Sequence, residues 1–445
     1  MEQQIKSTPI ERWITNPLSN WASKSTSGGI VLFLAALFAI FMANSPWAEW
    51  YHDLWQHKLG FGFDGDLYLN LSLHHWVNDG LMAVFFFVVG LELKRELTSG
   101  ELSSPKKAML PIIAAVGGMV FPALIYTFFA FGTDAAHGWG IPMATDIAFA
   151  LGVLHLLGDR VPLSLKVFLT ALAIADDLGA VLVIAIFYTS ELSMMHLGIG
   201  LGFFAVLLLS NFIGIKNTLY YAIIGIGGVW LAFLLSGVHA TIAAVLVAFA
   251  IPSTARVGEN YFVAKMNALR DRFKQLDPKE KISNLTTEQV YIVEEMDTLC
   301  TDVIPPSYRL EHGMHGFVSF IVMPVFALAN AAIPISMGEG SGLSFVTMGV
   351  AMGLLLGKVI GVSGLTALLI KTKLVKMPDG MTYTNLLGLG FLAAIGFTMS
   401  LFVTELAFDA QLHPEFPGQA KLGILIASGL GGLIGYVLLS RKPRN

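Results

Sequence analysis

The chain has 445 residues, 55% of them hydrophobic and 13% charged, with a net charge of −4 and a single cysteine. A soluble domain carries about 25% charged residues, and here apolar runs long enough to cross a bilayer recur along most of the length. That composition excludes a soluble globular enzyme, a nucleic-acid binder with a basic face, and a fold held by intramolecular disulfides, since Cys300 has no partner within the chain.

In chain order, residues 1–29 form a polar segment without a cleavable leader. The first part of a membrane domain, 30–251, holds apolar spans at 30–43, 76–97, 107–131, 139–157, 163–188, 195–212, 218–234 and 238–251. Its first two spans are separated by an outer loop, 44–75, rich in Trp, Tyr, Gly and acid, and Asp66–Ser72 alternates like a short strand, half a hairpin with Gly60–Phe63. Residues 252–311 form an inner segment in which Phe262, Met266, Leu269, Phe273 and Leu276 recur at helical spacing. Thr286 and Gln289 make a capping box there. Two amphipathic helices lying on the cytoplasmic side are expected. The second part of the membrane domain, 312–440, adds spans at 312–335, 343–370, 384–408 and 420–440, and 441–445 is a short tail.

Charge orients this chain. With both termini inside, 24 of the 27 Lys and Arg fall on the inner side, Lys58 and Lys421 outside, and Lys358 within the membrane. The expected fold class is therefore an all-α polytopic membrane protein of about twelve transmembrane helices with a small extracytoplasmic β-hairpin.

Two spans are interrupted. The run 139–157 carries Gly140, Pro142 and Gly152, and the run 384–408 carries Gly388, Gly390 and Gly396. Unwound backbone at membrane depth survives only where protein buries it or water lines it. Each interrupted span is the middle of a triplet of spans, 107–188 and 343–440, and the two triplets are separated so as to run oppositely. Inverted repeats with two interrupted, crossing helices and a site between them are expected. Facing half-helices leave two positive N-terminal and two negative C-terminal ends, which Asp146 and Lys358 are placed to neutralise respectively. Direct ion ligation is the other role open to Asp146.

Asp146, Asp176, Asp177 and Lys358 each cost roughly 2.5–3.5 kcal/mol at the centre of a span. Asp176 and Asp177 are adjacent, so on a helix they point about 100° apart: one can face a cavity while the other reaches a neighbouring helix. Burial and mutual repulsion both penalise two bare charges there, so a proton and a hard cation compete for the same oxygens. That competition is already an exchange mechanism.

Several segments together resemble the NhaA family of sodium/proton antiporters: Val77–Phe87 (VNDGLMAVFFF), Val89–Glu96 (VGLELKRE), Ala144–Ala150 (ATDIAFA), Ala175–Ala180 (ADDLGA), Ser236–Thr241 (SGVHAT), Arg309–His312 (RLEH), Leu356–Lys358 (LGK) and Gly396–Ser400 (GFTMS). The resemblance implies electrogenic exchange of cytoplasmic Na⁺ or Li⁺ for more than one external proton, with no cofactor, in a bacterial inner membrane. It implies that Asp177 is the principal ion- and proton-binding carboxylate, that Asp176 is its partner in holding Na⁺ and can pair with Lys358, and that Asp146 and Thr145 sit by the crossing. It places Asp79 near a cytoplasmic funnel and ties Glu92, Arg95, Glu96, His239, Glu311, His312 and His315 to the response to pH. It suggests homodimers joined through the hairpin loop 44–75, with membrane lipid around them and no nucleic-acid partner.

The residues themselves give the pH group a plainer alternative. Glu92, Arg95 and Glu96 share one helix face, where a surface salt bridge is worth under about 1 kcal/mol, and His239, at a helix start, can serve as a cap. The segment 252–311 looks longer than the family's usual loop. A proton-coupled symporter of a small organic anion and an intramembrane aspartyl protease using Asp146 and Asp177 are the competing functions. A lysine beside the acids opposes the shared proton a protease needs.

Overall fold

The structure is a computed structural model that describes residues 25–63, 66–189, 192–276, 285–333, 344–409 and 412–441. The polar segment 1–29 and the tail 441–445 therefore fall largely outside the described residues. Among the described residues nine helices are long and apolar enough to cross a membrane, and two further pairs of helices bent at short breaks raise that to eleven.

Helix α1 (Ser25–Ala43) turns by 114° into the short α2 (Ala48–Gln56). A two-stranded antiparallel sheet follows, β1 (Lys58–Phe63) paired with β2 (Asp66–Ser72), as the alternation predicts. Trp76 ties this hairpin to the next helix by donating its indole N–H to Leu59 O at 2.9 Å. That helix, α3 (Leu73–Ser99), is followed by α4 (Pro105–Ala130), α5 (Asp134–Leu156), α6 (Leu163–Phe187), α7 (Met194–Ile213) and α8 (Thr218–Ser236). The span expected at 238–251 is the eleven-residue helix α9 (Ala240–Ala250). At 1.5 Å per residue it is about 16 Å long, too short to cross alone.

Between α9 and the next span stand α10 (Glu259–Leu276) and α11 (Thr287–Val303). The capping box at Thr286 and Gln289 is formed as expected. The pair packs its apolar stripes, Phe262, Met266, Leu269 and Phe273 against Ile292, Met296 and Leu299, on one another. The two amphipathic helices that the periodicity predicts thus form a small separate core, in which each covers apolar side chains of the other.

Helix α12 (Pro306–Asn330) begins inside the segment 252–311 and carries Glu311 in its second turn. Helices α13 (Phe345–Lys371), α14 (Tyr383–Ala393), α15 (Phe397–Ala407) and α16 (Glu415–Ser440) complete the chain.

Both interruptions lie where Gly and Pro place them. In α5 the first half, Asp134–Met143, is a 3₁₀ helix that ends after Pro142; Ala144–Asp146 is extended, and the α-helical half Ile147–Leu156 follows. The second interruption, Ala394–Gly396, separates α14 from α15 with a bend of 43°.

Candidate ion-exchange site at the crossing of two broken helices

The two interruptions meet. Asp146 N–H donates to Ile395 O at 2.6 Å, and Thr145 Oγ1 donates to Ala393 O at 3.0 Å. In the other direction Ser400 Oγ donates to Ile141 O at 2.9 Å. Each broken helix thus supplies a hydroxyl to a carbonyl that the other leaves open, which is how a buried helix end avoids orphan acceptors.

Asp146 holds the two N-terminal ends together. Its Oδ1 accepts Phe149 N–H at 3.1 Å, capping its own half-helix, and its Oδ2 accepts Thr398 N–H at 3.0 Å and the Thr398 hydroxyl. One carboxylate caps both positive ends, so the neutralising role expected of Asp146 is filled. Those contacts leave it poorly placed to share a proton with Asp177, as protease chemistry requires, and they occupy the helix N-termini that a small organic anion would need.

Of the two roles expected of Lys358, the structure shows the pairing with Asp176 and not a contact with the open helix ends. Its ammonium donates to Asp176 Oδ2 at 2.7 Å, and both side chains are buried. The open carbonyls at the crossing are met by Thr145 and Ser400 instead. A glycine row makes the room for Lys358. A Cβ on Gly357 would stand 2.5 Å from Pro122 Cα, and one on Gly361 would stand 2.1 Å from Gly117 O, so α13 and α4 touch backbone to backbone. Lys358 itself sits between two π-helical stretches, Gly353–Gly357 and Val359–Gly364. Such local widening often marks functional positions in helices.

Asp177 is different in kind. It lies on the unbroken α6, within the field of Asp176, Asp146, Glu92 and Lys358, and is 1% exposed. Neither of its carboxylate oxygens has a hydrogen-bond partner among the described residues. Asp176 keeps one oxygen, Oδ1, in the same condition. Thr145 stands beside Asp176 but spends its hydroxyl on Ala393 O. The sequence reading expects one acid to face an open cavity; in this conformation protein closes over both. An apolar cavity of about 360 Å³ between α3, α8, α9 and α12 has no acid in its lining.

A buried carboxylate bonded to nothing costs several kcal/mol unless a proton or cation meets it. Three free carboxylate oxygens from two adjacent residues, beside a hydroxyl, form a hard-oxygen donor set suited to a small alkali cation.

The remaining expected residues divide into two groups. At one end of α3, Arg95 pairs with Glu311 of α12 and with Glu96 at 3.2 Å, and Glu92 lies within the field of all three. His312 belongs to this end, its ring edge-on to Tyr308 at 4.3 Å, and His315 lies one turn further along α12. Asp79 does not join them. It lies 13 positions before Glu92 on α3, about 20 Å along the axis, and contacts His75 Nε2 at 2.9 Å at the hairpin end. Asp79 and Glu92, both expected on the cytoplasmic side, therefore stand at opposite ends of α3, and that shared placement is corrected. His239 shares that hairpin end. It occupies the N-cap of α9 without capping it through its side chain, and its Nε2 meets Tyr188 O at 2.9 Å.

Thr398 and Ser400 lie in the interrupted span 384–408 and in the Gly396–Ser400 motif, so of the residues that build the site only the glycine row has no place in the sequence reading. A signal existed for the row: Gly349, Gly353, Gly357 and Gly361 recur every fourth residue, the small-residue spacing of closely packed membrane helices.

A family model described as Na⁺/H⁺ antiporter 1 matches residues 19–439. The chain belongs to the Na⁺/H⁺ antiporter 1 family. A protein named Na(+)/H(+) antiporter NhaA from Wolinella succinogenes is 46% identical over 427 residues, covering 96% of this chain and 93% of that protein. Its namesake from Oleidesulfovibrio alaskensis is 46% identical over 433 residues, 97% of this chain and 95% of the other. The Acidithiobacillus ferrooxidans protein of the same name is 45% identical over 435 residues, 96% and 98% respectively. These antiporter relatives match along nearly their whole lengths, so the crossing and the acids of α6 lie within the shared region.

Proposed function

We propose that this chain is a secondary active antiporter that exchanges Na⁺ or Li⁺ for protons by competition at Asp177, with alternating access to the two sides of the membrane. The observation that carries this reading is the buried Asp177 carboxylate, bonded to nothing, beside the free Oδ1 of Asp176 and the capped crossing.

A bare carboxylate is held in place by its need for water, whereas one neutralised by a proton or a cation can be enclosed by protein and turned to the other side. Asp177 and Asp176 therefore act as the shared receptor. Asp146 and Thr398 keep the two half-helix ends together while access changes, and Lys358 holds Asp176 in register. Electrogenic exchange with more than one proton and activation through the cluster of Glu92, Arg95, Glu96, Glu311, His312 and His315 are further parts of the proposal.

Counting α9 as a short span gives about twelve, and the opposed triplets α4–α6 and α13–α16 support the inverted repeat. The charge bias supports a bacterial inner-membrane orientation with both termini and the α10–α11 hairpin in the cytoplasm. The exposed Trp47, Trp50 and Leu59 beside the β-hairpin support a homodimer joined there.

The test is a pH-sensitive dye in everted or reconstituted vesicles. Adding Na⁺ or Li⁺ should release protons from the acidified interior of wild-type vesicles. Asp177→Asn should abolish that response while the purified protein keeps its melting temperature. Retained Na⁺-driven proton movement in the variant would overturn the assignment.

A further inference from the structure

A second, partly buried charge cluster lies at the hairpin end of the molecule, apart from the acids of α6. Glu405, on α15, pairs with Lys421 of α16 at 2.8 Å. His74, at the start of α3, brings Nε2 to 3.7 Å from the other Glu405 oxygen and to 3.0 Å from Asn330 Oδ1 on α12. The Asn330 amide is oriented by its Nδ2, which donates to Phe326 O at 3.0 Å and Asn78 Oδ1 at 2.9 Å. Its Oδ1 must then face His74, so Nε2 is the N–H of the ring and Nδ1 is the nitrogen free to take a further proton. Asn78 Nδ2, 3.5 Å from His74 Nε2, donates to Asn330 Oδ1 at 3.4 Å.

We propose that His74, Glu405 and Lys421 form a latch that pins the outer half of the second broken helix to α3 and α12, and that acid on the hairpin side releases it. The latch rests on the antiport reading only for which face is outside. Glu405 is already neutralised by Lys421, and His75 on the same helix is engaged by Asp79 at 2.9 Å. The His74 side chain is 27% exposed. A second ring proton adds a positive charge to a nest where the carboxylate nearest His74 among the described residues, Glu405, is spent on an ammonium. That charge is better solvated by water, so acid favours the arrangement in which the ring has left Asn330 and Glu405.

Release would be felt at the crossing. Glu405 is seven residues from Thr398 on one short helix, about 10 Å along its axis, and Thr398 is bound to Asp146. Between them Phe402 packs on Phe86 of α3 and Phe326 of α12, with ring centroids at 5.5 Å and 6.3 Å. With the polar tie released, that aromatic seam is what still holds α15 against α3 and α12. External protons, which antiport consumes, would thus open the side from which they arrive.

The experiment measures access directly. Leu401 is buried one turn below Glu405 on the same helix face. A Leu401→Cys, Cys300→Ser protein in right-side-out vesicles is labelled with a membrane-impermeant maleimide, with and without His74→Gln. Gln keeps a donor for Asn330 and cannot charge. The ratio of the two labelling rates cancels the intrinsic pH dependence of the thiol. Between about pH 8 and about pH 6, the histidine range, the ratio of the His74 protein to the Gln variant should rise about fivefold or more, the scale of ordinary coupling between sites. A ratio unchanged with pH overturns the latch. Thr404→Cys, also buried on α15, serves where Leu401→Cys does not fold. Wild-type vesicles without Na⁺-driven proton movement would overturn antiport and leave the labelling result standing.

Discussion

Lys358 and Asp176 form an ion pair with almost no contact with water, and the two partners are separated by 182 positions in the chain. Removing one member leaves the other charge buried alone, which costs about 3–5 kcal/mol. Lys358→Ala should therefore lower the melting temperature in detergent by far more than a surface lysine change. The pair Asp176→Asn with Lys358→Met removes both charges and should melt closer to wild type than Lys358→Ala alone. Equal losses in the single and double variants would mean that the pair carries no coupling. The acids were legible in the sequence because each is expensive in an apolar run; the reason each was kept was only half legible. Asp146 could be assigned to helix ends from the Gly and Pro around it. The partner of Lys358 could not be derived from spacing, because nothing local links α13 to α6. The pairing entered only through the family resemblance. Asp79 shows the opposite failure, since counting residues along α3 already separates it from Glu92, and the resemblance put the two on one side.

At the scale of elements, the two broken helices followed from backbone chemistry, and the contact between α4 and α13 did not. The glycines at 357 and 361 face Pro122 and Gly117 at distances no Cβ tolerates, and a Cβ on Gly353 would meet the Pro142 ring at 2.9 Å. Gly361→Ala would drive a Cβ into Gly117 O, a backbone atom that moves only with its helix. The loss should be about 1–3 kcal/mol, as for overpacked cores. It should be accompanied by weaker Na⁺ activation, because Lys358 sits one turn away. Gly349→Ala should cost less, since the Cβ would meet the Tyr126 ring at 3.0 Å and a side chain can yield. Gly429→Ala on α16, with nothing within 4 Å, should be neutral in the same melting assay. If all three melt alike, the glycine row has no packing role. The α10–α11 pair gives the converse case. On α10 the stripe that the period predicts is the one that packs, whereas on α11 Ile292 joins Met296 and Leu299 in the core and Val290 and Val293, which share the same apparent period, are exposed. Ser307 N–H reaches Pro252 O at 3.2 Å, so the chain closes at the root of the hairpin without it. Replacing 259–303 by a short Gly-Ser linker should leave Na⁺-driven proton release intact. Loss of exchange in a folded variant would make the hairpin part of the transport machinery, and an unchanged pH profile would deny it a regulatory role.

For the whole molecule, orientation decides which of the two charged ends meets the cytoplasm. Nothing in the fold marks the membrane sides, and the assignment rests on the distribution of Lys and Arg, which crowd the end that carries Arg95, Glu311 and the α10–α11 pair. The chain supplies its own probe of that assignment. Cys300, its single cysteine, is exposed on α11. A membrane-impermeant maleimide should label the unaltered protein in everted vesicles and leave it unlabelled in right-side-out vesicles until detergent is added. Labelling from the right-side-out face alone would invert the molecule. The His74 cluster would then face the cytoplasm, the Glu92–Glu311 cluster would face outward, and the acid that opens the latch would come from inside. Equal labelling in both preparations would point to dual insertion, which the charge bias opposes because moving the basic end across the bilayer means carrying most of the chain's cations through hydrocarbon.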